Sequence, residues 1–255
     1  MDGSMGMPRY QWTRPALGVV ACVLPTAYLW SLPLLARAGF AERGPDPTGV
    51  GKSVSHYISN APATGLLAAT FQWPIMQLWE RHGIAYLEAT CSSRDSAAER
   101  LAVRAFGSLV CMLVAFGGFV TFTVSWQPRV HVFFVTVMCL SGLVHFHLLL
   151  RLGAARGGFG AGAAAPLVLG FAGFGAVICC VAFTKLFGGN AGYGFWVSES
   201  LGLTGMVWCT TCDDHAAPAV DRLRRSMSAS RKRVPAVAAA PAASECDGAA
   251  PRSPV

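Results

Sequence analysis

The chain has 255 residues, 53% of them hydrophobic and only 13% charged, with a net charge of +7. A soluble globular domain carries roughly 25% charged residues, so the deficit points to lipid as the solvent. The basic residues stand beside apolar runs and in a Ser/Ala/Pro-rich tail without interleaved aromatics, which argues against nucleic acid as a partner.

Six stretches approach the roughly 20 mostly apolar residues that a spanning helix needs. They run Pro15–Ala36, Ala63–Trp79, Val103–Trp126, Val130–Leu152, Ala163–Phe187 and Tyr193–Thr211. The chain therefore reads as an all-α polytopic membrane protein: a cytosolic N-terminus over 1–14, six transmembrane helices in one bundle over 15–215, and a disordered tail over 216–255. The first apolar run continues past the 7 to 15 residues of a signal-peptide core, so it is read as a span, kinked at Pro25 and Pro33. The second holds Gln72, Pro74 and Gln77, whose polar face is expected to meet other helices because lipid offers amides no partner.

The segment from Arg37 to Pro62 carries Gly39, Gly44, Pro45, Pro47 and Gly49, the composition of a turn-rich loop. Short third and fifth loops make spans three and four, and likewise five and six, antiparallel neighbours. Small residues mark close approach on span three (Gly107, Gly117, Gly118) and span five (Gly170, Gly173, Gly175). With six spans, fifteen Lys and Arg fall on the side of both termini and five on the other (Arg37, Arg43, Lys52, Arg129, Lys185). The larger group belongs in the cytosol, so both termini are expected there, with loops one, three and five facing the lumen or exterior. None of the nine cysteines lies in an outward loop, and no N-glycosylation sequon is present.

Glu199 stands about two turns inside the sixth span. A carboxylate at membrane depth is tolerated where it faces a bundle interior, a cavity or a partner charge. Lys185, near the end of span five, is the candidate cation; the pair either fixes helix register or leaves Glu199 as a headgroup or proton site. His131 opens span four at the outward interface. His145 and His147 are about 200° apart on a helix and cannot chelate one ion together. Cys209 and Cys212 have the spacing of a metal half-site without a second pair. No metal or cofactor is expected. In the tail, Arg222, Arg224, Arg225, Arg231, Lys232 and Arg233 form a basic cluster interleaved with serines, read either as positive-inside anchoring or as a clamp on anionic lipid.

Three islands within Ala16–Asp214 resemble the six-span DRAM/Frag/Sfk proteins. His56-Tyr57-Ile58-Ser59-Asn60 is similar to that family's Pro-x-Ile-Ser-Asp, with His56 and Asn60 standing for its proline and acid. The polar patch ending span three and then His131 resemble the histidine that opens its fourth span. Trp196-Val197-Ser198-Glu199, with Asp213 near the cytosolic end, resembles its Ser-Glu island. The family comprises autophagy modulators, Golgi GPI-anchor remodelling proteins and plasma-membrane regulators of phosphoinositide synthesis. The resemblance implies a non-enzymatic protein of the endomembrane system or plasma membrane, acting on autophagy or on lipid and membrane trafficking, with membrane lipids or a membrane protein as partner. On this reading Ile58, Ser59 and Asn60 fold onto the outward mouth near His131, with Ser198 and Glu199 below in one polar pocket for a headgroup or partner. GPI-anchor lipid remodelling is one alternative. A membrane-embedded lipid hydrolase using His131, Ser198 and Asp213 is another, opposed by the roughly 22 Å of helix separating Ser198 from Asp213.

Overall fold

The computed structural model describes residues 14–44, 49–91, 97–155 and 164–211. They form seven α-helices and a closing 3₁₀ turn: α1 Arg14–Arg37, α2 Val54–Tyr57, α3 Ala61–Cys91, α4 Ala97–Thr121, α5 Pro128–Ala155, α6 Ala164–Phe187 and α7 Tyr193–Trp208, then Cys209–Thr211. Four of them, α1 over Val20–Arg37, α4, α5 and α6, are long and apolar enough to cross a membrane. The six long helices match the six apolar stretches, while α2 lies in a segment expected to be loop alone. The basic cluster from Arg222 to Arg233, together with Cys212, Asp213, Asp214 and His215, lies outside the described residues.

Neighbouring helices pack in the order α1, α3, α4, α5, α6, α7, and α7 closes back onto α1. The α4–α5 and α6–α7 pairs make the most extensive contacts, as their short connections demand. Each inward face follows helical periodicity: Leu67, Phe71, Pro74 and Leu78 are buried on α3, and Ala102, Ala105, Leu109, Met112, Phe116 and Phe119 on α4. Outer faces expose Val114, Leu140, Val168 and Phe171, side chains that lipid accommodates and water does not.

Two expectations for the second span need correction. The helix does not stop at Trp79 but continues through Glu80 and Arg81 to Cys91, 31 residues in all. Hydropathy marks where lipid ends; the helix persists because Ala, Leu and Glu keep favouring it in water. Gln72 is exposed on the outside of the ring, and only Gln77 is partly covered. Phe71 occupies the inward position, and the next residue along a helix is rotated by about 100° away from it.

α1 and α7 run antiparallel and are joined by indole N–H groups. Trp208 Nε1 donates to Thr26 Oγ1 at 2.9 Å, Trp30 Nε1 to Thr204 Oγ1 at 3.2 Å, and Trp196 Nε1 to the Leu29 carbonyl at 3.2 Å. The last bond has a backbone cause. Pro33 has no N–H to give the carbonyl four residues earlier, which is Leu29, and the helix nevertheless continues through both Pro25 and Pro33. The indole of Trp196 supplies the donor that the proline removed.

α6 and α7 touch backbone to backbone through two glycine pairs. A Cβ on Gly173 would lie 2.1 Å from the Gly202 nitrogen, and one on Gly205 would lie 2.3 Å from the Gly170 Cα. Gly107 and Gly117, expected to mark a similar approach, would meet nothing within 4 Å. Gly173→Ala should therefore lower the melting temperature of the detergent-solubilised protein by several degrees, since overpacking a tight contact costs about 1–3 kcal/mol. Gly107→Ala should leave it unchanged or slightly raised, because Ala is preferred to Gly inside a helix by about 0.5–1 kcal/mol. Equal losses in the two variants would contradict the close α6–α7 crossing.

Candidate functional site: a folded cap over one end of the bundle

The connections α1–α3, α4–α5 and α6–α7 meet at one end of the helix ring. The Ala191 N–H donates to the Val50 carbonyl at 2.7 Å and Asn190 Nδ2 to the Gly49 carbonyl at 3.1 Å. Ser125 Oγ, from the α4–α5 connection, donates to the Ser59 carbonyl at 2.9 Å. Gly51, at φ +140°, sits where a Cβ would be 2.6 Å from the Gly192 carbonyl oxygen, so only glycine allows the two connections to touch. The described residues of the α1–α3 segment thus form a structured cap, not a solvent loop.

At its centre is α2. Ser53 caps the helix by accepting the His56 N–H at 2.9 Å. The Glu199 carboxylate, from α7, accepts the Val54 N–H at 2.6 Å and the Ser55 hydroxyl at 3.3 Å. First-turn amides of a helix have no partner within it and favour negative charge, so the buried acid and the buried helix end satisfy each other. Glu199 is only 2% exposed. The depth at which the sequence places Glu199 is thereby explained by a backbone partner, whereas Lys185 is exposed at the end of α6 and does not take the role of counter-charge assigned to it.

The other residues expected in one pocket are held in separate networks. Ile58 is buried and ends α2, and its carbonyl accepts the Thr64 hydroxyl. Asn60 caps α3 by accepting the Ala63 N–H at 2.9 Å, while its Nδ2 donates to the Phe40 carbonyl at 2.9 Å. Ser198 donates back to the Gly194 carbonyl at 2.7 Å, one turn earlier on α7. His131 is buried against Phe119, with its Nδ1–H donated to the Phe122 carbonyl oxygen at 2.6 Å. Ser198, Asn60 and the Nδ1 of His131 are engaged with backbone groups, which sequence spacing does not reveal, while the buried His131 Nε2 has no partner among the described residues. Deeper in the bundle, His145 on α5 lies 2.9 Å from the Ala105 carbonyl and 5.1 Å, ring to ring, from His82. Among the described residues no three His, Cys, Asp or Glu side chains are grouped to hold a metal ion.

What the cap creates is an open cleft of about 360 Å³ lined by Pro33, Ala36, Arg37, Glu42, Arg43, Lys52, Tyr57 and Tyr193. Among the described lining residues three cations face a single carboxylate. Arg43 Nε is anchored on the Ala36 carbonyl and Lys52 Nζ on that of Gly44, with His56 Nε2 3.0 Å from the ammonium. The Gly44 and Arg43 N–H groups, at 2.8 and 2.9 Å, hold the Glu42 carboxyl below its ordinary value, with His56 and Lys52 adding to the effect. Burial, with the Tyr193 phenol beside it, pushes the Tyr57 hydroxyl up to about 12. None of these cleft residues except Tyr57 belongs to an island singled out in the sequence; the signal was present only as three of the five minority cations falling between Arg37 and Lys52.

Fold and cap together define a multi-pass helical membrane protein with a polar, structured face at one end. Comparison with protein-family models, curated proteins and solved structures finds no match to this chain.

Glu199→Ala should destabilise the protein by about 1–3 kcal/mol, the cost of a buried N–H left without an acceptor. It should also speed amide exchange over residues 53–57, whereas Glu199→Gln, which keeps an acceptor oxygen, should do less. Exchange unchanged in both would detach Glu199 from the cap. Because the folded Glu42 carboxyl has the lower pKa, its contribution is complete above the unfolded value and is lost as pH falls through the folded one. The melting-temperature difference between wild type and Glu42→Gln should accordingly shrink as pH is lowered from about 6 to about 3, and a constant difference would contradict the assignment.

Proposed function

We propose that the chain is a non-enzymatic six-span protein of the DRAM/Frag/Sfk kind, with both termini cytosolic and the cap facing the lumen or exterior. Its role on this reading is in autophagy or in lipid and membrane trafficking within the endomembrane system, exercised by receiving a lipid headgroup at the cap. The cleft carries the proposal: Pro33, Ala36 and Arg37 end α1 and Tyr193 begins α7, so its walls lie at the depth where a bilayer's headgroups begin. The closed helix ring and the meeting of three connections at one end support alternation of six spans, and the Lys/Arg excess on the opposite side supports the orientation. The Ser198 hydroxyl donates to the Gly194 carbonyl and not to His131, which supports a binding protein over a hydrolase built on that pair.

Two measurements test this. A glycosylation sequon inserted after Gly49 should be modified in cells and one placed in the tail should not; the reverse pattern, or modification of both, would refute the topology. Depletion of the protein should change autophagic flux or surface display of GPI-anchored proteins, and a null effect on both would remove the trafficking role.

A further inference from the structure

We infer that the cleft between α1, the cap and α7 binds a phosphate-bearing anionic group, of the kind carried by a membrane phospholipid. The inference rests on the headgroup reading above and specifies its chemistry. Arg37, Arg43 and Lys52 converge on the cleft from the end of α1, the turn after it and the approach to α2, and among the described lining residues only Glu42 opposes them. The Glu42 carboxylate already accepts the Arg43 and Gly44 N–H groups, so part of its charge is absorbed by the cap backbone. The Arg43 guanidinium is fixed through Nε, which leaves its terminal amino groups directed by an anchored fork. Arg37 is exposed at the end of α1 and lines the cleft, so its guanidinium faces the space a ligand would occupy. α7 starts at Gly192 without a side-chain cap, and its positive end adjoins Tyr193 in the cleft wall.

The same surface favours an amphipathic ligand. Pro33 and Ala36 give the cleft an apolar wall, and immediately along α1 Leu34 is 64% exposed and Trp30 37% exposed. A phosphate seated among the cations leaves its acyl chains to run down this apolar face of α1 into the bilayer. A free phosphate would use the cations and leave the apolar face idle. Arg129 and Lys185, the remaining cations at this end, are exposed and stand outside the cleft, which makes them internal controls for net charge.

The test uses the full-length chain in detergent, titrated with dihexanoyl phosphatidic acid, dihexanoyl phosphatidylcholine and inorganic phosphate. Phosphatidic acid should bind at least about tenfold more tightly than phosphatidylcholine, and Arg37→Gln should weaken it by about tenfold, the scale of one charge-assisted contact. Arg129→Gln and Lys185→Gln should stay within about twofold of wild type, as exposed charges outside a site contribute little. Competition by inorganic phosphate at concentrations similar to the lipid would assign the site to soluble phosphate, and competition only at far higher concentrations would assign it to lipid; both keep the anionic chemistry. Equal affinity for the two lipids, with Arg37→Gln weakening both alike, would overturn the anionic inference while leaving the headgroup reading. Equal losses in all three variants would overturn it in favour of diffuse charge. Failure of phosphatidic acid to bind would overturn the anionic inference, and failure of both lipids would remove the headgroup reading with it.

Discussion

The hydrogen bond from the Val54 N–H to the Glu199 carboxylate is the constraint on which the rest of this structure turns. A carboxylate removed from water loses several kcal/mol of solvation unless its lone pairs are met, and a buried helix start leaves amides that need acceptors. Here one liability cancels the other. The consequence is topological as well as energetic, because Val54 lies within the segment joining α1 to α3 while Glu199 belongs to α7. The Glu199 bonds to Val54 and Ser55 therefore fasten the α1–α3 connection to the last helix of the ring. The Val50–Ala191 and Ser59–Ser125 bonds then extend the same surface over the other two connections.

How much of this the sequence revealed depends on which atoms did the work. Six long helices were legible in the apolar runs, and four of them are long and apolar enough to cross a membrane, because solvent imposes composition directly; the importance of Glu199 was legible because an acid in oil demands a partner. The identity of that partner was hidden, since every residue carries a backbone N–H and none advertises it. Looking only at side chains led to Lys185, which the structure leaves exposed. The same limit explains Ser198 and Asn60: each polar side chain suggested a ligand, and each instead completes a local turn or helix end. The glycines divide likewise. Gly170 and Gly173 face the backbone of α7, but Gly107 and Gly117 face open space, and composition does not say which face of a helix meets a neighbour.

Proline supplies a second example of backbone logic. In isolation Pro33 reads as a helix defect, and the carbonyl it orphans would be costly inside a bundle. Trp196 meets that carbonyl with its indole N–H and also packs edge-on against Trp30, ring centroids 5.4 Å apart. The defect in α1 has become an attachment point for α7, one that only a side chain of indole's reach and donor geometry fills.

These two devices converge on the cleft. Its α1 wall, Pro33 to Arg37, lies a few residues beyond Leu29, whose carbonyl is held by Trp196, and its α2 wall is Tyr57, one turn after Val54. Tyr57 in turn stands edge-on to Trp196 with ring centroids 6.5 Å apart. One indole thus ties together the helix that carries Arg37 and the short helix that carries Tyr57, while Glu199 stops the latter from drifting along the bundle axis. Cations mounted on walls fixed in this way need little ordering when an anion arrives, which is where most of the cost of binding by flexible loops arises. It follows that Glu199 works in favour of an anionic ligand: its bond to the Val54 amide helps set the geometry in which the three cations face the cleft.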